Sequence, residues 1–399
     1  MSEPQELVSG PAAGGGLGFV STLDAAREAA VVGGKGASLG ELARAGIAVP
    51  PGFVVTVDGF ATAMAAIDPS GALRAQLEAL GAGDPQLLAR ACAALRARIT
   101  EAPLPSGVAD AITASYATLA AVPDAALADV AVRSSATMED SAAASFAGLQ
   151  DTYLGVAGSE AVLEHVRRCW ASLYNEESVS YRRRLGLPER GLAMAVVVQR
   201  MVAPRAAGVM FTRSPVTGDR SVVAIEGVWG LGSALVSGEV TPDSFIISKI
   251  TGEITTRRVS AKLKVHTYRP NAPVTSSHPP AQSPPEQDLG PGVAVEDTPA
   301  ELRDAPCLTD DEIRALAALA RQVEAHYGAP QDIEWALLEP DDPPDAPSSP
   351  AGPRIVLLQS RPETVWAAKD PAPAGSPKPR PADHVLSLFG KPSLFGKPL

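Results

Sequence analysis

The sequence predicts an α+β protein of two or three lobes, on three observations. Residues 59–125 and Glu160–Arg184 carry apolar residues at helical spacing. From Ala193 the period changes to short β-rich segments separated by Pro, Gly and Asp. Near the carboxyl end a helix with start and stop signals precedes two apolar strands. A chain of 399 residues is long enough to give each lobe a substantial core.

In chain order, residues 1–17 read as a flexible Gly/Ala/Pro tail, and a compact region follows from about Gly18 to His266. Ala37–Ala45 is expected to be helical after a glycine turn, and Gly52–Val57 to be a short strand. The Ala-, Leu- and Arg-rich stretch 59–125, broken by Pro103 and Pro105, predicts a small helical lobe. Glu160–Arg184 predicts one more helix, with Trp170, Tyr174 and Tyr181 spaced as core residues. Ala195–Arg200, Ala207–Thr212, Ser221–Glu226 and Ser244–Lys249 are the predicted strands. The proline-rich stretch 268–306 has little periodicity and predicts an irregular or disordered insert. Asp310–Tyr327 predicts a helix capped by Thr309, with Glu312 three residues on and Gly328 as its stop. Asp332–Leu338 and Arg354–Ser360 predict strands on either side of a Pro/Asp/Ser-rich loop. From about Ala367 the chain reads as a disordered Pro/Lys-rich tail that closes on SLFGKP repeated at 387–392 and 393–398. Phe389 and Phe395 leave open a docking peptide there.

The bulk numbers narrow the partners. A net charge of -11 argues against steering of a polyanion such as DNA. Cys92, Cys169 and Cys307 lie far apart with no CxxC pair, against a disulfide framework or zinc site and in keeping with a reducing compartment. The opening MSEPQELVSGPAAGGG lacks the regions of a signal peptide. Apolar runs such as Ala195–Val198 fall short of the roughly 20 residues that cross a membrane. The expectation is a soluble, cytoplasmic protein with no nucleic-acid or membrane partner.

Four constellations are candidates for chemistry. The first is the glycine turn Gly33-Gly34-Lys35-Gly36 before a helix, where backbone N–H groups can approach phosphate oxygens and the Lys35 ammonium can neutralise them. It is not a Walker A loop, because Ala29 and Gly36 stand where that motif has Gly and Ser/Thr. The second runs from Ala131 to Asp140, with Arg133 at the end of an apolar strand and Ser134, Ser135 and Thr137 after it; the small residues up to Gly148 could form a flap over a triphosphate. A capped loop with Arg133 in a salt bridge fits those residues equally well.

The third is the pair Asp332–Trp335 and Gln359–Thr364. Paired as a hairpin, positions 332, 334 and 336 face 361, 359 and 357. That register collects Asp332, Glu334, Gln359 and Arg361 on one face and Ile333, Trp335, Leu337, Val356 and Leu358 on the other. Carboxylate and amide oxygens suit a hard Mg²⁺ ion, and a guanidinium suits a transferring phosphoryl group; a structural ion pair is the plain alternative. The fourth is Val196–Val202, an apolar strand that could offer backbone groups to adenine and Met201 to its face, or be an ordinary sheet strand. The glycine-rich turn from Glu226 to Gly232 fails the spacing of a dinucleotide fingerprint.

Taken in order, these segments resemble the ATP-binding domain of the phosphoenolpyruvate synthase and pyruvate phosphate dikinase family. The resemblance rests on GGKGASLGEL at 33–42, VPPGFVVT at 49–56, AVRSSATMED and ASFAGLQDTYL within 131–154, VQRMV at 198–202, AAGVMFTRSP at 206–215, WGLG at 229–232, HYGAPQDIEW at 326–335 and LQSRPETVW at 358–366. It implies an ATP-grasp fold, two lobes clasping ATP, with an additional small helical subdomain. The implied division is an N-terminal lobe over 18–195 and a C-terminal lobe over 196–366 with the insert 268–306. Lys35, Arg133 and Arg361 would then be catalytic, with Lys35 and Arg133 on phosphates and Arg361 on the transferring group. Ser135 and Thr137 would add donors, Glu334 and Gln359 would hold magnesium with help from Asp332, and Gln199 to Val202 would border adenine.

The family passes phosphate from ATP through a histidine on a swivelling domain, with AMP and phosphate as products. His165, His266, His278, His326 and His384 lie in no such phosphohistidine segment, and the family's barrel domain has no counterpart here. The resemblance therefore implies a separate phosphohistidine-bearing partner, as in a split dikinase. Phenylphosphate synthase, a rifampin phosphotransferase-like module and a non-catalytic ATP sensor or scaffold are the rival readings.

Overall fold

The computed structural model describes residues 18–80, 85–121, 129–137, 151–189, 191–270, 289–339, 353–364 and 366, with the backbone of 140–141 and 144–145. The expected tails 1–17 and 367–399 with the SLFGKP repeat, the heart of the insert (271–288), the loop 340–352 and the flap side chains of 138–150 lie outside the described residues.

The first half runs β1 (Val20–Thr22), α1 (Ala29–Arg44), β2 (Gly52–Val55), α2 (Val57–Ile67), α3 (Ala72–Ala79), α4 (Pro85–Glu101) and α5 (Ser106–Ala120). β3 (Val130–Ala136), β4 (Asp140–Ser141), β5 (Ala144–Ser145), β6 (Thr152–Val156), α6 (Ser159–Ser172) and α7 (Glu176–Arg184) follow. Next come β7 (Met194–Arg200), β8 (Pro204–Phe211), β9 (Val222–Trp229), α8 (Ser233–Val236), β10 (Asp243–Ser248) and β11 (Ile254–Arg258). The last elements are β12 (Lys264–Tyr268), β13 (Val293–Asp297), α9 (Ala300–Arg303), α10 (Asp310–Tyr327), β14 (Gln331–Leu338) and β15 (Arg354–Pro362). The mixture of helices and antiparallel sheets is α+β, as the sequence predicts.

Two sheets organise these elements. A five-stranded sheet has the order β1-β2-β7-β3-β6 and a six-stranded sheet the order β11-β10-β9-β8-β14-β15. β7 is apolar almost throughout because both of its faces are covered. Val196, Val198 and Met194 face a core shared with the helices, including Phe60 and Trp170, whereas Ala195 and Val197 face Val32 and Leu39 of α1. β7 lies wholly inside the first sheet, so the sheets part between Arg200 and Pro204.

The six-stranded sheet is covered on one face by α10, whose Ile313, Leu316 and Val323 pack with Met210, Ile225, Ile333, Trp335 and Leu337. Trp335 is fully buried, and its indole lies where Gly208 and Gly227, its lateral neighbours in the sheet, leave room. α10 has the predicted capping box: Thr309 accepts from the Glu312 N–H, the Glu312 carboxylate accepts from the Thr309 N–H, and Gly328 closes the helix at φ 67°.

Three expectations are corrected. The α1 helix begins at Ala29, ahead of the glycines, with Gly33 as a break inside it. The single helix Glu160–Arg184 is two, parted at Leu173–Asn175, and Tyr181 lies half-buried near Arg184 instead of in the core. Part of the insert is regular structure, because β13 pairs with β12 and this arm leans on β6. There Leu154 N–H donates to Leu289 O at 2.9 Å, and Tyr268 Oη donates to Asp129 at 2.9 Å. No helix among the described residues is long and apolar enough to cross a membrane.

A methyl group at Gly227 would meet the Cys307 sulfur at 3.0 Å and the Trp335 ring at 3.2 Å. Gly227→Ala is therefore expected to lower stability in urea by about 1–3 kcal/mol through overpacking. Thr309→Ala should cost about 1 kcal/mol through the lost cap.

Candidate functional site

The site forms where α1, β3 and the β14/β15 pair meet. At Gly33 the backbone takes φ 70° and ψ 171°, a conformation that suits glycine. A Cβ there would lie 2.0 Å from the Ser135 carbonyl oxygen, so the turn is pressed against β3. Ser135 holds it: its hydroxyl donates to Val32 O at 2.9 Å and accepts from the Gly36 N–H at 3.1 Å. Ser135 is fully buried. Its hydroxyl is thus engaged by the turn, and Ser135 positions the segment that carries Lys35. Lys35 itself is half-buried. Burial and Asp151 push the Cys169 thiol on α6 well up, and the Lys35 charge opposes them.

From this turn α1 reaches β15. Ser38 Oγ donates to Ser360 O at 2.6 Å, and past the helix the Ala48 carbonyl accepts from the Leu357 N–H at 2.8 Å. The β14/β15 register pairs Asp332 with Arg361 and Glu334 with Gln359, as the sequence predicts, but then shifts so that Trp335 faces Leu357 and Ala336 faces Val356. Leu358 is the extra residue of a bulge. The bulge corrects the expected core face: Leu357 joins Trp335 in the α10 core, whereas Val356 and Leu358 lie with Ala336 and Leu338 on the site face.

Arg133 crosses from the first sheet to this pair. Its Nη1 donates to the Leu358 carbonyl at 2.6 Å, and its Nη2 to Glu334 Oε2 at 2.7 Å and Gln359 Oε1 at 3.2 Å. Arg133 is 10% exposed and Glu334 33%, so water still screens the pair from one side. Beside it, Arg361 donates through Nε and Nη2 to Asp332 Oδ2 at 2.8 and 2.6 Å. Burial pushes the Asp332 carboxyl above the ordinary aspartate range; Arg361 pulls it back, and Glu334 and Glu363 push it further up. The two carboxylates and the Gln359 amide thus place hard oxygen donors on one face, each carboxylate met by one guanidinium.

The remaining candidates are less central. Thr137 Oγ1 donates to Ala193 O at 3.4 Å at the far end of β3. Gln199 is buried and its amide donates to Pro50 O at 2.9 Å, so that side chain supports the loop before β2. Met201 is buried with Ala131 and Leu231 at the seam between the sheets, and Val202 packs near Leu358 and Ala48.

The sequence did not single out a clasp beyond Arg361. Glu363 accepts from the Trp366 N–H at 2.9 Å and lies 4.0 Å from Arg213. The Trp366 indole donates to Pro215 O at 2.9 Å, with the Arg213 guanidinium 5.7 Å from its ring centre. The clasp steadies the strand end that carries Arg361; its motifs TRSP and RPETVW are legible, but not the contact between them. Among the described histidines, His165 hydrogen-bonds Ala161 O, His266 bridges Ser233 and Glu239, and His326 meets Glu41. His278 and His384 lie outside the described residues.

Ser135→Ala leaves the buried Gly36 N–H and Val32 C=O without this partner and is expected to cost about 1–3 kcal/mol in urea unfolding. Asp332→Asn tests the raised carboxyl. A raised folded-state pKa gives stability that is present below the unfolded value and lost as pH rises through the folded value. The stability difference between variant and parent should therefore move in the variant's favour from about pH 4 to pH 7.

Residues 29–380 match the family described as "Pyruvate phosphate dikinase, AMP/ATP-binding domain". The chain is 42% identical over 345 residues to the phosphoenolpyruvate synthase of Aeropyrum pernix, covering 85% of this chain and 41% of that protein. It is 45% identical over 312 residues to a rifampicin phosphotransferase of a Streptomyces species, covering 77% and 33%. With the phosphoenolpyruvate synthase of Escherichia coli it shares 39% over 345 residues, covering 84% and 40%. The chain thus spans well under half the length of these relatives. By a match over most of its length, the chain belongs to the AMP/ATP-binding domain family of phosphoenolpyruvate synthase- and pyruvate phosphate dikinase-like phosphotransferases.

Proposed function

We propose that the two sheets form the lobes of an ATP-grasp domain, joined between Arg200 and Pro204, that binds Mg-ATP at their seam. The domain would pass a phosphoryl group to a histidine outside these 399 residues, on a phosphohistidine-bearing partner, with AMP and phosphate as the overall products. The observation that carries this reading is Arg133, which reaches across from one sheet to Glu334 and Gln359 of the other. A triphosphate with its cation fits that crossing, because phosphate oxygens suit the guanidinium and a hard cation suits the oxygens now facing it.

The donor set fits magnesium delivered with nucleotide. No group of three His, Cys, Asp or Glu side chains suited to a metal occurs among the described residues. Asp332, Glu334 and the Gln359 amide therefore offer a partial shell, the usual case for a magnesium ion that also takes phosphates and water. When bound, the ion would offset triphosphate charge. Lys35, carried on the turn held by Ser135, and Arg133 would neutralise the phosphates from the first lobe. Arg361, oriented through Nε and Nη2 by Asp332, would face the transferring group from the second lobe. Positioning and fixed charge would do the catalysis. Val202 and the apolar seam at Met201 and Leu231 would border the base.

The relatives carry the names of two different activities at similar identity, 42% for a phosphoenolpyruvate synthase and 45% for a rifampicin phosphotransferase. In this reading that near-equality supports a choice of final acceptor made outside the matched part. Glu334→Ala and Arg361→Ala are expected to abolish AMP formation from β-labelled ATP in the presence of a partner protein recovered with the chain. Acid-labile label should appear on that partner with the parent chain alone. Full turnover by either folded variant would reject the assignment, and tight ATP binding with no transfer to any partner would favour a sensor.

A further inference from the structure

One carboxylate on the site face takes part in none of the contacts above. Pairing across the six-stranded sheet sets Gln359, Glu334, Val209, Glu226 and Ser244 side by side in one lateral row. Directly paired residues of antiparallel strands point to the same face. The opposite face at this level holds Met210, Ile225 and Ile333, all in the α10 core. Glu226 therefore shares the face of Glu334, two strands away, a separation of about 9–10 Å. Val209, half-buried, lies between them.

Glu226 is half-buried and has no hydrogen-bond or ion-pair partner among the described residues. Burial alone pushes its carboxyl above the ordinary glutamate range. It is also the lone charged residue in β9, Val222–Trp229, whose other site-face positions are Val222, Ala224 and Val228. A half-buried acceptor in an apolar strand is unfavourable unless a donor meets it. A phosphate cannot be that donor, since it would bring like charge to a carboxylate. What lies beyond a triphosphate, on the way to the apolar seam at Met201 and Leu231, is the sugar.

We propose that Glu226 is the specificity residue for the sugar, accepting hydrogen bonds from the vicinal hydroxyls of a ribonucleoside triphosphate laid over Val209. The proposal rests on the nucleotide reading of the seam. A carboxylate can accept from both hydroxyls of a cis-diol at once, whereas a deoxyribose offers it one. The row supplies the spacing: cation-holding oxygens at Glu334 and Gln359, an apolar floor at Val209, then the acceptor at Glu226.

The test is equilibrium binding of ATP, 2′-deoxy-ATP, 3′-deoxy-ATP and inosine triphosphate with Mg²⁺ to the full chain and to Glu226→Ala and Glu226→Gln. The parent should prefer ATP over either deoxynucleotide by about tenfold or more, as expected for hydrogen bonds to a charged group. Glu226→Ala should bring that ratio to near one, and Glu226→Gln should leave an intermediate ratio. An unchanged ratio in the folded Ala variant overturns the proposal, as does an equal loss for all four nucleotides. Selective recovery of inosine triphosphate relative to ATP in Glu226→Ala also overturns it, by assigning Glu226 to the base. Glu334→Ala separates the two readings: Mg²⁺-dependent ATP binding lost there but indifferent to Glu226 sinks only the sugar contact. Absence of ATP binding by the parent sinks both.

Discussion

The arrangement of this domain depends on one guanidinium held between two sheets. Arg133 leaves β3 and is met by a carboxylate, an amide and a main-chain carbonyl, all from the β14/β15 pair. Removing a cation from water to about a tenth of its exposure is unfavourable unless its donors are answered. Three acceptors in one place answer them. The same requirement fixes where the sheets meet, because Glu334 and Gln359 must be in register and the Leu358 carbonyl must turn toward β3. The bulge at Leu358 supplies that turn, and the clasp of Arg213, Glu363 and Trp366 steadies the strand beyond it.

The charged and polar residues of the site also answer one another. Arg133 faces Glu334, Arg361 faces Asp332, and Ser135 faces the glycine turn. A nucleotide with its cation would exchange partners at such a site, replacing a protein anion with phosphate and a protein cation with metal. Binding energy would then be a difference between two sets of charge-assisted contacts, so small shifts of either sheet weigh on it.

Much of this was legible from residue order. The capping box of α10 is local chemistry, readable in Thr309, Glu312 and Gly328. The polar face of Asp332, Glu334, Gln359 and Arg361 followed from strand alternation. The bulge did not, because Leu357 and Leu358 are both leucines and either could be assigned to the core. Glu160–Arg184 read as one helix because apolar spacing runs through the break at Leu173–Asn175, and only packing of the two halves separates them. The part played by Ser135 was hidden as well: a hydroxyl aimed at a phosphate and one aimed at a neighbouring turn have the same letter. Ser38 and Ala48 contribute an ordinary hydroxyl and a carbonyl, which carry no signature. Glu226 did have one, a single charge in an apolar strand, whose meaning appears only once four strands are placed side by side.

The outer margin of β15 adds a mechanical consequence. A terminal strand normally advertises unpaired main-chain groups to any passing chain. Here three of them are stoppered by residues of α1, β3 and the loop before β2: Leu357 N–H by Ala48, Leu358 C=O by Arg133 and Ser360 C=O by Ser38. Prising the halves widely apart would bare that adhesive border. Breathing at this joint is therefore restrained by the same stoppers that guard against unwanted strand addition.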